Sequence, residues 1–373
     1  MEPFMSRIRR VGSLLFAVVA ISIIRWQEHP ALGAEPAVKN VVLITLDGLR
    51  SEEVFHGADQ RLMTIENGVK NGEQCKAQFW RESPEERRDL LLPFMWKQCL
   101  SKQGWIAGNV DADSKVSVSN GKYFSYPGYN ELLTGKADPK VNSNDKKYNS
   151  NVTVLEWLNS KSQFNGKISA YTSWDVFPFI INDKRSGIPV NAGWQRFNVG
   201  DPDRVTLLNE MSAQIFHEWD GVRYDVLTTC GAIEELNANA PRVLFVSLGE
   251  TDDWAHMGRY DRYLLTAQQN DHFIELLWNT CQRLTSHRDN TLFIVSTDHG
   301  RGVERDGWKN HSASLPGSEY IWVAAFGAGV RRTGIDSGGQ YVQAHIASTV
   351  AAALGEDFVS TNPEIHAPLP FLN

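Results

Sequence analysis

Three short stretches, far apart in a chain of 373 residues, carry carboxylates and imidazoles at spacings that suit metal ligation. Asp252 and His256 are four residues apart, so a single helical turn brings both to one side. Asp298 and His299 are adjacent, which on a turn lets the pair straddle two neighbouring ions. Asp47 and His311 complete a set of three Asp and three His. Nitrogen and oxygen donors without thiolate suit zinc, manganese or iron better than calcium or magnesium. A fourth stretch places Ser125 two residues before Pro127, where a helix can begin. Amide groups and the dipole at a helix N-terminus favour an anion there. A bare serine is a weak nucleophile, and metal coordination activates it at neutral pH.

Each feature alone has a plainer reading. An Asp after a strand is often only a helix N-cap, and so is a serine before a helix. Co-occurrence carries the argument, because the elements deliver these residues to one place. Val41–Leu46, Val243–Leu248, Leu292–Thr297 and Tyr320–Phe326 are short apolar runs, and Ile168–Tyr171 is a weaker fifth. Runs without polar alternation suit strands covered on both faces, as in a parallel sheet. Asp47, Asp252/His256 and Asp298/His299 each follow such a run, and parallel α/β sheets bind ligands beyond the carboxyl ends of their strands.

Helical stretches lie between the runs. Ser83-Pro84-Glu85-Glu86 has an N-cap, a proline at the first helical position and a capping-box Glu. That helix should run toward Gly104 with a kink at Pro93. Asp261 to about Arg283 and Val342 to Leu354 read as two more helices. The expected fold class is α/β, with a mainly parallel central sheet. The stretch from about 55 to 120 is rich in charge, lacks clear strands, and reads as a cap or insertion.

The first 33 residues read as a separate object. Arg7, Arg9 and Arg10 precede an apolar run, Leu14 to Ile24, which is short for a bilayer span and long enough for a signal peptide. The expectation is an exported protein, periplasmic or extracellular, with membrane contact only if this leader stays uncleaved. The cysteines, Cys75, Cys99, Cys230 and Cys281, form no C-x-x-C pair, so a cysteine-built zinc site is not expected. Disulfides Cys75–Cys99 and Cys230–Cys281, or free thiols, are equally compatible with the spacing. A formal charge of -7 without a basic stripe argues against nucleic acid duplex binding.

Taken in order, these residues resemble the alkaline phosphatase superfamily, and within it the type I phosphodiesterase/nucleotide pyrophosphatase branch. Four motifs carry the resemblance: Leu46-Asp47-Gly48, Ser125-x-Pro127 with Leu133-Thr134-Gly135, Asp252-x-x-x-His256, and Thr297-Asp298-His299-Gly300 followed by His311. It implies a single three-layer α/β/α catalytic domain over 34–373. It implies two divalent ions, zinc by family habit. Asp252, His256 and His311 would hold one; Asp47, Asp298, His299 and the Ser125 oxygen would hold the other. The implied activity is hydrolysis of a small-molecule phosphate ester through a phosphoseryl intermediate.

The chain departs from that branch at one telling point. The branch usually shows Thr-x-Pro-Asn, its Asn touching phosphate, and here the position is Gly128. Arg301 and Lys309 are the cations expected to supply the missing phosphoryl contact. Sulfatases share the length and the Leu-Thr-Gly ending of Ser125–Gly135, but Tyr129 stands where they carry Arg. His299 also follows Asp298 where they typically carry Asn. An arylsulfatase-like hydrolase and a catalytically silent binding protein are the alternatives.

Overall fold

Strand β1 (Asn40–Leu46) is buried over its whole length, and its alternation divides the interior. Val42, Ile44 and Leu46 enter one hydrophobic cluster, whereas Val41 and Leu43 enter another. Successive strand side chains point to opposite faces, so the two clusters lie on the two faces of one sheet. Helices Tyr260–Arg283 and Asp225–Asn239 supply the first cluster. Helices Ser125–Thr134 and His345–Ala353 supply the second. The result is the three-layer α/β/α arrangement that the resemblance implies.

The computed structural model describes residues 38–372, so the leader read at 1–33 lies outside the described residues. The remaining strands are β2 (Gly104–Ala107), β3 (Lys115–Ser117), β4 (Ile168–Thr172), β5 (Val190–Ala192), β6 (Val243–Leu248), β7 (Thr291–Ser296), β8 (Tyr320–Ile321), β9 (Val323–Gly327), β10 (Gly334–Ile335) and β11 (Gln340–Val342). The main sheet has the order β10-β2-β9-β7-β1-β6-β4-β5, and β11-β3-β8 form a small second sheet. Strand β1 pairs in parallel with both β6 and β7, and β4 pairs in parallel with β6 and β5. Adjacent parallel strands end on the same side, so Asp47, the turn after Leu248 and the turn after Ser296 meet there.

Three expectations are corrected. The run Tyr320–Phe326 is two strands in two sheets, and β9 runs antiparallel to both β7 and β2. Trp322 separates them; its buried indole donates to Leu49 O at 2.9 Å. The stretch 55–120, read as lacking strands, contributes β2 to the main sheet and β3 to the small one. The last helix starts at His345, not Val342, because Gln340–Val342 extends as β11.

The kinked helix is as expected. Ser83 caps Pro84–Leu91, and after Pro93 the chain winds on as a π-helical stretch, Phe94–Leu100. The proline leaves amides without helical partners, and Asp271 accepts from Phe94 N and Met95 N at 2.7 and 2.9 Å. All four cysteines are free thiols, three of them buried.

Candidate metal centre and nucleophile

The first ligand group is built by strand ends. Asp47 follows β1, and its amide donates to Leu248 O at 2.9 Å, tying it to the end of β6. Gly48 then turns with φ +59°, and a Cβ there would lie 2.9 Å from Asp252 Oδ1. That explains the glycine after Asp47: the backbone needs a left-handed residue and the space is already filled. Asp298 and His299 follow β7, both with no exposed surface. His299 Nε2 lies 3.4 Å from Asp47 Oδ1 and 3.4 Å from Asp298 Oδ2. These three atoms are buried and lack hydrogen-bond partners among the described residues.

The second group sits on a helix and a loop. Asp252 and His256 lie on helix Glu250–His256, with His256 Nε2 3.2 Å from Asp252 Oδ2. His311, on the loop after β7, brings its Nε2 to 3.0 Å from His256 Nε2 and 3.6 Å from Asp252 Oδ1. The helix is held by a reciprocal clasp. Asp225, first residue of helix Asp225–Asn239, accepts from Gly249 N and Glu250 N, while Glu250 accepts from Asp225 N. Each acid thus serves the N-terminus of the other's helix.

Electrostatics separates the groups. Burial, then the charges of Asp298 and Asp252, pushes Asp47 well above the usual carboxylate range. Burial followed by Asp252 pushes Asp298 up to about 7. Asp252 goes the other way: burial would raise it, but Arg301 and the neighbouring imidazoles hold it well below its ordinary value. Burial depresses both His299 and His311, the latter to about 4. His299 Nδ1 faces Gly300 O at 3.0 Å and His311 Nδ1 faces Tyr123 O at 2.8 Å. A neutral imidazole bonded to a carbonyl through Nδ1–H presents Nε2 as a lone pair.

The donor set fits divalent ions. Two clusters, Asp47/Asp298/His299 and Asp252/His299/His311, each place three ligand atoms within 4.8 Å of one another. Unpartnered buried carboxylate and imidazole atoms aimed at one another are what a dication would satisfy.

Ser125 opens helix Ser125–Thr134 and is 7 % exposed. Next to it, Tyr126 N donates to Asn144 Oδ1 at 3.0 Å. Gly128 lies against the first group: a Cβ there would stand 2.3 Å from Asp298 O. Glycine is therefore required by the close approach of this helix to the end of β7. Tyr129 donates to Asp47 Oδ2 at 2.9 Å and accepts from Ser247 Oγ at 3.1 Å.

Of the two cations read as phosphoryl contacts, each has a protein partner, and Arg301 Nε and Nη1 are buried without a hydrogen-bond partner among the described residues. Arg301 is buried, and its Nη2 donates to Asp252 Oδ1 and, at 3.0 Å, to Asp252 O. Lys309 lies over Gly258 and donates to Glu66 O at 3.2 Å. Sequence reasoning missed Tyr129, Asn144 and Gln343, the last of which donates to Thr297 O and Asp298 O. No local pattern marks them; Tyr129 alone stood out, as the residue at the sulfatases' Arg position.

No protein-family model and no curated protein matches the chain. Solved structures do. Wild-type alkaline phosphatase PafA superposes with a TM-score of 0.55 at 11% identity, over 90% of this chain and 99% of that one. A phosphonate monoester hydrolase of Agrobacterium radiobacter gives 0.52 at 12%, over 89% and 78%. A protein in the alkaline phosphatase superfamily from Vibrio parahaemolyticus gives 0.51 at 14%, over 90% and 70%. What these structures share with the chain is architecture, and the chain has the fold of the alkaline phosphatase superfamily.

Proposed function

We propose that this chain is an exported, metal-dependent hydrolase of phosphoric esters, with Ser125 as nucleophile and two divalent ions, zinc by the family resemblance. The observation that carries the reading is the convergence of Asp47 Oδ1, Asp298 Oδ2 and His299 Nε2, buried and unpartnered, in the group that Gly128 ties to the serine's helix. Export rests on the leader read at 1–33.

Ions bound by these ligands would acidify the serine hydroxyl and offset charge on the phosphoryl oxygens. The chain's own residues do the rest. Ser125 Oγ attacks phosphorus in line with the ester oxygen, which leaves with the bonding pair and is protonated. Water then attacks the phosphorus of the seryl intermediate, restoring the hydroxyl and releasing phosphate from a monoester substrate or a phosphate monoester from a diester. Tyr129 holds Asp47 in orientation through its hydroxyl. Asn144 presents an amide beside Ser125 whose Nδ2 donors meet no acceptor among the described residues, and it takes the phosphoryl contact that Gly128 cannot make.

The test is turnover of an aryl phosphate monoester, an aryl phosphate diester and an aryl sulfate by the zinc-loaded protein. Ser125→Ala is the control. Hydrolysis of either phosphate ester, abolished in the variant, supports the reading and settles the ester class. Turnover of the sulfate alone replaces it with a sulfatase. No turnover with both ions retained leaves a binding protein on this fold.

A further inference from the structure

Helix Ser125–Thr134 reaches both ligand groups. Gly128 and Tyr129 serve the strand-end group, as described. Glu131 reaches the other way. It is fully buried, and its carboxylate accepts from Ser119 N, Ser119 Oγ and Asn120 N at 2.8 to 3.1 Å. Asn120, anchored by this clamp, turns its Oδ1 back onto Lys122 N at 2.8 Å and Tyr123 N at 3.2 Å. Tyr123 is thereby held at φ +56°, in the left-handed region that a bulky aromatic residue rarely adopts. In that conformation its carbonyl faces His311 Nδ1 at 2.8 Å.

We propose that Glu131 and Asn120 are positioning residues for His311: they hold the Tyr123 carbonyl against Nδ1, fix the tautomer with Nε2 unprotonated, and so set the divalent-ion affinity of the Asp252–His256–His311 group. The affinity half rests on the metal reading above; the tautomer half does not. Backbone strain is kept only where surrounding structure over-determines it, and here two side chains, one from the serine's helix, do so. Partners on the far nitrogen of a ligating histidine commonly change affinity about 10- to 100-fold.

Two measurements test this. The first is nitrogen–proton correlation of the histidine rings in metal-free protein, with the His311 signal assigned by His311→Gln. Wild type should show the Nδ1–H form, and Asn120→Ala a mixture of tautomers. The second is zinc titration against a competing chelator. Asn120→Ala and Glu131→Gln should each weaken one equivalent by about 10- to 100-fold and leave the other as in wild type. Asn120→Asp keeps the acceptor and should restore both readouts if the alanine variant folds poorly. Tyr123→Gly keeps the carbonyl and suits the positive φ, so its zinc affinity should stay within about two-fold. An unchanged tautomer and affinity in Asn120→Ala overturns the proposal, as does equal weakening of both equivalents. If wild type takes up no divalent ion, the metal reading falls, and the tautomer alone decides the relay.

Discussion

The two ligand groups use the same residue types and are built in opposite ways. Asp47, Asp298 and His299 stand at the ends of adjacent parallel strands in the buried middle of the sheet. The pairing register fixes their separation, and little beyond Gly48 and Tyr129 is needed to finish it. Asp252, His256 and His311 sit on a seven-residue helix and a loop, with the His256 side chain 41 % exposed. Their geometry comes from the Asp225–Glu250 clasp and the Tyr123 carbonyl. The comparison separates placement by topology from placement by outer hydrogen bonds. Charge follows the same division: the strand-end carboxylates are crowded into raised pKa values, whereas Arg301 neutralises Asp252.

If both groups serve one reaction, the largest effect comes from Ser125. Ser125→Ala should lower turnover by about 10⁴- to 10⁶-fold, the range seen when a serine nucleophile is removed. Both ions should stay bound by elemental analysis, because Ser125 adds one oxygen to a group that keeps three ligands. Loss of an ion in this variant would make the serine a ligand first and would weaken the nucleophile reading.

Next in size is the contrast between the groups. Asp298→Ala removes a fully buried ligand, and its ion should be lost on dialysis and not recovered at high zinc. His256→Ala removes a partly exposed ligand, and its ion should return when free zinc is raised about 100-fold. Stoichiometry after equilibration at two zinc concentrations reads both. Equal behaviour of the two variants would break the distinction between strand-end and helix-loop placement.

A smaller effect separates the metal-free states by pH. Burial pushes His311 down to about 4, and the unfolded imidazole titrates near 6.5. Between those values the unfolded chain binds more protons, so stability rises with pH. The contribution is fully present above about pH 6.5 and is lost as pH falls through about 4. It is on the order of 3 kcal/mol for a shift of this size. Denaturant unfolding of metal-free protein from pH 7 to pH 4 should show this decline, and His311→Gln should flatten it. An unchanged slope would mean that His311 titrates alike folded and unfolded.

These differences also explain what the sequence could disclose. Strands β1, β6 and β7 are continuous apolar runs, so their ends, and Asp47, Asp252 and Asp298 after them, can be placed from the order of residues alone. The α/β layering and the parallel centre follow from the same runs. Strand β2 is only four residues, Gly104–Ala107, inside a charged stretch, and β9 pairs antiparallel with β7 and β2 through the order in which the chain enters the sheet. Nothing local signals either. Outer contacts are harder still, since Tyr129 meets Asp47 across 82 residues and His311 meets Tyr123 across 188. Arg301 was legible as a cation near the site, but its partner Asp252 is 49 residues away and only the fold supplies it.

Gly128 gives the finest test, because two local effects oppose each other there. Alanine in place of a helical glycine ordinarily gains about 1 kcal/mol. Against that, the added Cβ would meet Asp298 O at 2.3 Å, and the obstacle is backbone, which cannot rotate away. Overpacking of this kind costs about 1–3 kcal/mol, so Gly128→Ala should be net destabilising by up to about 2 kcal/mol in denaturant unfolding. The strain falls on Asp298, so zinc affinity should drop for the strand-end group and hold for the helix-loop group. Gly128→Asn, which restores the residue usual in nucleotide pyrophosphatases, should be worse than alanine and should not improve turnover. A gain in turnover from Gly128→Asn would show that helix Ser125–Thr134 can back away from β7, and that the strand-end group is less rigid than its burial indicates.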